Sequence, residues 1–281
     1  MSLLLVRHGQ ASFGAADYDQ LSERGQVQSR RLGDWLAQGG HRFEAVVVGG
    51  MRRHAQTAQG VVDAFAERGL SLPEIVSDPG FAEFDHQAVF GAFVERNADS
   101  PVVLASRSGQ PRDVAAMLQG ALLAWARDEL PGMPETWQAF GDRVRQAGQG
   151  LQALAGDGEV LVLSSGGVIS RLAQMALDVP VERAVELNLS LRNSAVSEFH
   201  PHGPRLRLGS WNALPHLHGA RDLTMCESPA GVSDHPALTR CWRDAGGQVW
   251  LELDVTLLAQ LPAFLELREA GTVPPHSPVT A

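Results

Sequence analysis

Short apolar runs alternate along this chain with longer stretches whose apolar residues recur every three or four positions. Residues 3–6, 45–48 and 159–163 read as buried strands, and residues 74–76 read as a further short one. Between the first two, Ser22 is a suitable N-cap for a helix in which Gly25, Gln28, Leu32 and Trp35 recur at helical spacing, and Gly39-Gly40 ends it. Gly49-Gly50 then turns the second strand into a helix carrying Ala58, Val61, Val62 and Phe65 on its inner face. A helix over residues 168–177 follows the third long strand, and residues 195–199 and 205–210 read as a closing hairpin. This alternation predicts an α/β fold in three layers: a mostly parallel central sheet with helices on both faces.

Residues 84–155 carry no strand signal and read as a helical insertion. Within it, residues 114–130 and 136–154 form amphipathic patterns separated by Pro131-Gly132-Met133-Pro134. The aromatic residues there (Phe84, Phe90, Phe93, Trp125, Trp137 and Phe140) read mainly as helix packing, since aromatics at helical spacing are usually core. The sheet looks complete by Trp211, so one domain over residues 1–225 is expected, with a C-terminal extension over 226–281. In that extension residues 248–253 read as a strand, and Asp254 as the cap of a helix carrying Val255, Leu258 and Leu261. Pro274-Pro275-His276-Ser277-Pro278 predicts no regular structure. The pattern gives the extension no role.

Composition narrows the function classes. A chain of 281 residues, 44% hydrophobic, can bury a full core. Its 23 basic against 32 acidic residues give a net charge of −9, which argues against nucleic acid or an anionic membrane as partner while leaving room for a local cationic pocket. Cys226 and Cys241 make neither a metal-ligand pattern nor a disulfide framework. The opening apolar run is too short for a signal peptide, and no run is long enough to span a bilayer, so a soluble cytoplasmic protein is expected.

Candidate chemistry begins where the first strand ends, at Arg7-His8-Gly9. In an open α/β sheet the carboxyl ends of the strands are where ligands bind. A histidine there can act as nucleophile or base, and the fork of an arginine matches phosphate oxygens. Alone, the tripeptide equally describes a simple strand-to-loop turn. Three more segments change that: Leu21-Ser22-Glu23-Arg24-Gly25-Gln26-Val27-Gln28, then Met51-Arg52-Arg53-His54-Ala55-Gln56-Thr57-Ala58, then the 160–163 strand leading into Ser164-Ser165-Gly166-Gly167. In this order and spacing the chain resembles the histidine phosphatase superfamily, the phosphoglycerate mutase-like fold, over about residues 1–222. The second block matches the family's Leu-x-Arg-Ala-x-Gln-Thr-Ala with Met51 for Leu and His54 for Ala.

The resemblance implies His8 as a phosphorylated nucleophile, Arg7 and Arg53 as phosphate ligands, and a proton-donating glutamate after the 74–76 strand. Phe81-Ala82-Glu83-Phe84-Asp85 fits that last position, so Glu83 is the candidate acid and Asp85 the runner-up. It further implies that the helical insertion covers the active site. Where the family has Ser/Thr-His-Gly-Gly, this chain has Ser164-Ser165-Gly166-Gly167, so Ser165 stands in the position of the second pocket histidine. A serine can donate a hydrogen bond to a phosphoryl oxygen but supplies no cation, a loss on the order of 1–3 kcal/mol. Gly14 stands where the family often has Asn. His86 is a candidate to lean into the gap, and His54, one residue beyond Arg53 on a helix, is expected to point elsewhere.

These readings lead to a metal-independent phosphatase acting on a small phosphorylated substrate, with no cofactor and no metal site. Two alternatives stay open: a mutase-type phosphotransferase, for which Arg96, Arg107 and Arg112 are the possible second basic cluster, and a catalytically weak phospho-ligand binder. His200-Pro201-His202 and His216-Leu217-His218 lack carboxylate or cysteine partners at metal-ligand spacing and read as turn histidines. Gly166-Gly167 reads as an anion-facing turn rather than a nucleotide loop.

Overall fold

The structure, a computed structural model, describes residues 1–12, 19–156, 158–217, 238–243 and 249–253. β1 (Ser2–Arg7) leads to α1 (Glu23–Gln38), β2 (Phe43–Val48) to α2 (Arg52–Ala66), and β3 (Ile75–Ser77) to four helices, α3 (His86–Arg96), α4 (Pro101–Ser106), α5 (Pro111–Ala126) and α6 (Trp137–Ala155). β4 (Glu159–Ser164) precedes α7 (Gly166–Leu177) and α8 (Val181–Ser190), and β5 (Val196–His202) and β6 (Arg205–Ala213) complete a six-stranded sheet in the order β3-β2-β4-β1-β5-β6. The first four in that order run parallel, whereas β5 is antiparallel to β1 and β6 to β5.

The apolar runs are continuous because both faces of the central strands are covered. Leu3, Leu5, Ala45, Val47, Val160 and Val162 face one layer, and Leu4, Val6, Val46, Val48, Leu161 and Leu163 face the other, the period of two expected of a pleated strand. Leu32 and Leu36 of α1 and Val61 and Phe65 of α2 cover the second set. Val89, Leu122, Phe140, Val144 and Ile169, from α3, α5, α6 and α7, cover the first. Val62 is only half-buried, and Ala64 takes the inner position instead.

Three helices do not stand out from the sequence pattern. α3 buries only Val89 and Phe93, α4 is six residues long, and α8 buries only Ala184 and Val185, so none shows a full apolar stripe. The aromatic residues of the insertion do form core. Phe84 packs against Trp125 and Phe140 at ring distances of 4.7 and 5.6 Å, and Trp125 meets Trp137 edge-on at 5.1 Å. Each such pair adds about 0.5–1.5 kcal/mol beyond simple burial. Their weight matters to the site, because anchoring Phe84 fixes the backbone of its neighbour Glu83.

The chain divides into two compact units, Met1–Ser233 and Asp234–Ala281. In the second, β7 (Leu238–Arg243) and β8 (Val249–Leu253) pair as an antiparallel hairpin, and β8 is the strand expected there. Gly14, His218, Cys226, the helix expected after Asp254 and the proline-rich close lie outside the described residues. No helix among the described residues is long and apolar enough to cross a membrane.

Candidate active site

Parallel pairing sets Arg7 opposite Ser164 and Val48 opposite Leu163, so the carboxyl ends of β1, β2 and β4 open onto one edge. His8 leaves the end of β1, Arg53 lies in the first turn of α2, and Ser165 is the N-cap of α7. The polar residues of the sequence blocks hold this edge together. Gly9 N–H donates to Thr57 Oγ1 at 3.1 Å, Gln10 N–H to Gln28 Oε1 at 2.8 Å, and Leu21 N–H to Gln56 Oε1 at 2.7 Å. Ser22 Oγ accepts from Gly25 N–H at 3.1 Å and caps α1, as its sequence position predicts.

His8 is 2% exposed, with Nδ1 2.7 Å from the Gly9 carbonyl and Nε2 3.1 Å from Arg53 Nε. A guanidinium can only donate, so Nε2 is the acceptor and Nδ1 carries the proton. That is the one neutral tautomer that satisfies both contacts. Burial, followed by the charges of Arg53 and Arg7, holds the imidazole well below its usual pKa, against a smaller upward pull from the Gly9 carbonyl. The ring is therefore neutral at physiological pH, with its Nε2 lone pair directed into the site.

Arg53, also 2% exposed, reaches three groups. Nε meets His8, Nη2 lies 3.4 Å from Ser165 Oγ, and Nη1 forms a 2.6 Å ion pair with Asp19. The other oxygen of Asp19 accepts from Arg52 N–H at 2.9 Å, at the start of α2, while the Arg52 side chain is exposed. Arg7 is buried and donates through Nη1 to the Leu191 carbonyl.

Glu83 accepts the Gly167 N–H on Oε2 at 3.0 Å and the Phe84 N–H on Oε1 at 3.2 Å. Burial pushes its carboxyl pKa up and outweighs the Gly167 and Phe84 N–H groups and the Arg53 and Arg7 charges, which pull it down. Gly167 is required here by space, since a Cβ would stand 2.2 Å from Glu83 Oε1. Asp85 has a different task. Its Oδ1 accepts from Ala88 N–H at 2.9 Å and caps α3.

The expectation for His54 is overturned. Its ring turns into the site, with Nε2 2.7 Å from Ser165 Oγ and its centroid 5.6 Å from that of His8. Residues 53 and 54 leave the helix about 100° apart, but that separation fixes only where the side chains start. Gly49 supplies the room, for a Cβ there would sit 2.6 Å from His54 Nδ1. Burial, then the Arg53 charge, lowers the His54 pKa to about 3, while the Gly49 backbone pulls weakly the other way. His54 is thus neutral, and the fixed positive charge comes from Arg7 and Arg53. His86, by contrast, lies tilted beside Phe90 with ring centroids 6.0 Å apart, and its pKa is lowered first by burial and then by Arg53.

Sequence reasoning missed His54 and Asp19 as members of this cluster. For His54 the signal lay in the motif itself, where a histidine stands in the place of the Ala expected from the resemblance. Asp19 carries no such mark. Arg96, Arg107 and Arg112 are exposed, and Arg107 donates to the Ala98 carbonyl at 3.2 Å within the insertion. Among the described residues no three His, Cys, Asp or Glu side chains are grouped to hold a metal.

Comparison with known proteins bears on the family and the fold. The sequence profile of the histidine phosphatase superfamily (branch 1) matches residues 3–214. A "Probable phosphoglycerate mutase" of Serratia proteamaculans is 27% identical over 237 residues, covering 82% of this chain and 97% of that protein. A 4-diphosphocytidyl-2-C-methyl-D-erythritol kinase of Clavibacter michiganensis is 30% identical over 162 residues, 57% of this chain but only 43% of the relative's own length. Among solved structures, a phosphoserine phosphatase variant from Entamoeba histolytica, in complex with phosphoserine, has the same fold at a TM-score of 0.53 and 18% identity, covering 77% of this chain and 98% of that one. Phosphoglycerate mutase from Bacillus anthracis does so at 0.55 and 18%, covering 77% and 94%. Fold, motif order and profile agree, and the chain belongs to the histidine phosphatase superfamily.

Proposed function

We propose that this protein is a metal-independent phosphatase that hydrolyses a small phosphomonoester through a phosphohistidine on His8. The observation that carries the reading is the neutral, single-tautomer His8, whose Nε2 lone pair faces the Arg53 guanidinium. Nε2 attacks phosphorus as the P–O ester bond breaks, and Glu83, whose carboxyl pKa is raised by burial, gives its proton to the leaving oxygen. Glu83 then takes a proton from water, which attacks the phosphohistidine. The P–N bond breaks, and inorganic phosphate leaves with His8 neutral again. Arg7, Arg53 and Ser165 hold the phosphoryl oxygens, and the two guanidiniums provide the positive charge that a metal would otherwise supply.

Hydrolysis is favoured over mutase chemistry because Arg96, Arg107 and Arg112 are exposed on the insertion and form no buried second anion site. The deciding experiment is an alkaline quench and trapping after mixing with a phosphate ester. An acid-labile, base-stable phosphoryl group on the protein, absent in His8→Ala, is expected. Steady hydrolysis with full activity in His8→Ala would end the phosphohistidine reading.

A further inference from the structure

We infer that Arg143, on α6 of the helical insertion, is a positioning residue for Glu83: it holds the loop that presents the carboxyl to the leaving oxygen. This rests on the reading of Glu83 as the acid of the phosphatase. Glu83 lies on the loop between β3 and α3, and four successive carbonyls of that loop accept hydrogen bonds from side chains. Arg143 Nη1 donates to the carbonyls of Pro79, Gly80 and Ala82 at 3.0, 3.1 and 2.9 Å. Ser164 Oγ, at the end of β4, donates to the carbonyl of Phe81 at 2.8 Å.

The guanidinium is itself held in place. Its Nε and Nη2 each donate to one oxygen of Glu135, both at 2.8 Å, a two-point pair that fixes the plane of the fork. Its Cζ lies 5.2 Å from the centre of the Phe140 ring, and Phe140 meets Phe84 edge-on at 5.6 Å. Ala147 completes this face of α6, for a Cβ on Gly80 would stand 2.6 Å from its own Cβ. Positions 140, 143 and 147 share one side of a helix. That side therefore grips the chain both before Glu83, through Ala82, and after it, through Phe84. An ion pair with side chains 28% and 26% exposed adds little to global stability, and water can reach the carbonyls that Arg143 would leave. What the clamp supplies is register. The carboxyl must stay where Oε2 meets the Gly167 N–H at 3.0 Å, and a shift of about an ångström costs about a hundredfold in rate.

The test compares Arg143→Met and Arg143→Lys with Arg145→Ala, an exposed control on the same helix, on an alkyl phosphate and on p-nitrophenyl phosphate. Arg143→Met should lower kcat by about 10- to 100-fold for the alkyl ester and by less than about threefold for p-nitrophenyl phosphate, because only the poor leaving group needs a proton. Arg143→Lys keeps a donor for the carbonyls but not the fork and should fall between Met and wild type. It carries the same readings if Arg143→Met does not fold. Arg145→Ala should match wild type on both esters. Adding Arg143→Met to Glu83→Gln should cost the alkyl ester little beyond Glu83→Gln alone. The alkaline limb for the alkyl ester should move to lower pH in Arg143→Met, since a loosened Glu83 gains water and loses the burial that raises its pKa. Equal losses on the two esters, full alkyl-ester activity in Arg143→Met, or additive losses in the double variant would each overturn the inference. Deuterium exchange over residues 80–84 separates it from the acid reading. Exchange should quicken in Arg143→Met, and an unchanged rate overturns the inference even where Glu83→Gln behaves as the loss of an acid. If Glu83→Gln hydrolyses alkyl esters at full rate, the acid reading falls, and exchange alone decides whether Arg143 holds the loop.

Discussion

Gly167 and Glu83 are in contact through the backbone of one and the carboxylate of the other. The N–H of Gly167 donates to Oε2 at 3.0 Å, and a Cβ on Gly167 would lie 2.2 Å from Oε1. The glycine pair at the start of α7 is thus a seat for the candidate acid as well as a turn. Gly167→Ala should displace Glu83 by an ångström or so and lower kcat by about a hundredfold for alkyl phosphates, while the fold survives. Kinetics alongside circular dichroism would check this, and an alanine variant of undiminished kcat would unseat Glu83 from the mechanism.

Glu83→Gln should impair alkyl phosphates by about 100-fold but p-nitrophenyl phosphate much less, because a good leaving group needs no proton. Burial raises the Glu83 pKa, so the acid form persists to higher pH than in a free glutamate. Activity on alkyl esters should therefore fall as pH rises through that raised value, and the Gln variant should lose this limb. The sign for stability follows as well. Folding holds on to the proton, so the wild-type protein loses stability as pH rises through the folded pKa, and Glu83→Gln should melt higher at neutral pH. pH–rate profiles and thermal melts measure both.

His8→Ala should reduce ester turnover to background, whereas His86→Ala should be mild, since Ser165 is paired with His54 and Arg53. Comparable losses in the two variants would give His86 a share of the pocket chemistry.

Arg53→Ala should cost about 100- to 1000-fold in kcat and weaken orthovanadate binding, the scale of a lost oxyanion donor. It also frees Asp19 from its ion pair, adding an unscreened negative charge near the anion. Arg52→Ala, on an exposed side chain, should change little. Sensitivity at Arg52 instead would mean that the wrong arginine has been assigned to the phosphate.

Ser165→His alone should be damaging, because a second ring must enter a sealed space that His54 already fills. Ser165→His combined with His54→Ala returns the pocket to one ring and should recover activity relative to the single variant. Equal activity in the two variants would show that the rings do not compete.

A chain ending after Thr224 should fold and keep its activity, since β6 ends at Ala213 and, among the described residues of the first unit, Leu217 is the last that is buried. Insolubility of that truncation would overturn this boundary.

The sequence by itself determined the sheet, its layers and the arrival of His8, Arg53 and Ser165 at one edge. Strands apolar on both faces can only be central, and short turns after them leave their carboxyl ends together. The cap at Ser22 and the packing role of Phe84, Trp125 and Phe140 were legible for the same local reasons. What only the tertiary structure decided is where long side chains end. Helical spacing sends Arg53 and His54 off in different directions, yet both finish at Ser165, because Gly49 leaves a space that a strand-to-helix pattern does not reveal. The ion pair of Asp19 with Arg53 spans 34 residues and joins the segment before α1 to α2, which no local pattern reports. The tautomer of His8 and the raised pKa of Glu83 come from burial and neighbours assembled from four separate segments. Local pattern reports backbone periodicity, whereas donors, acceptors and desolvation belong to the packed interior.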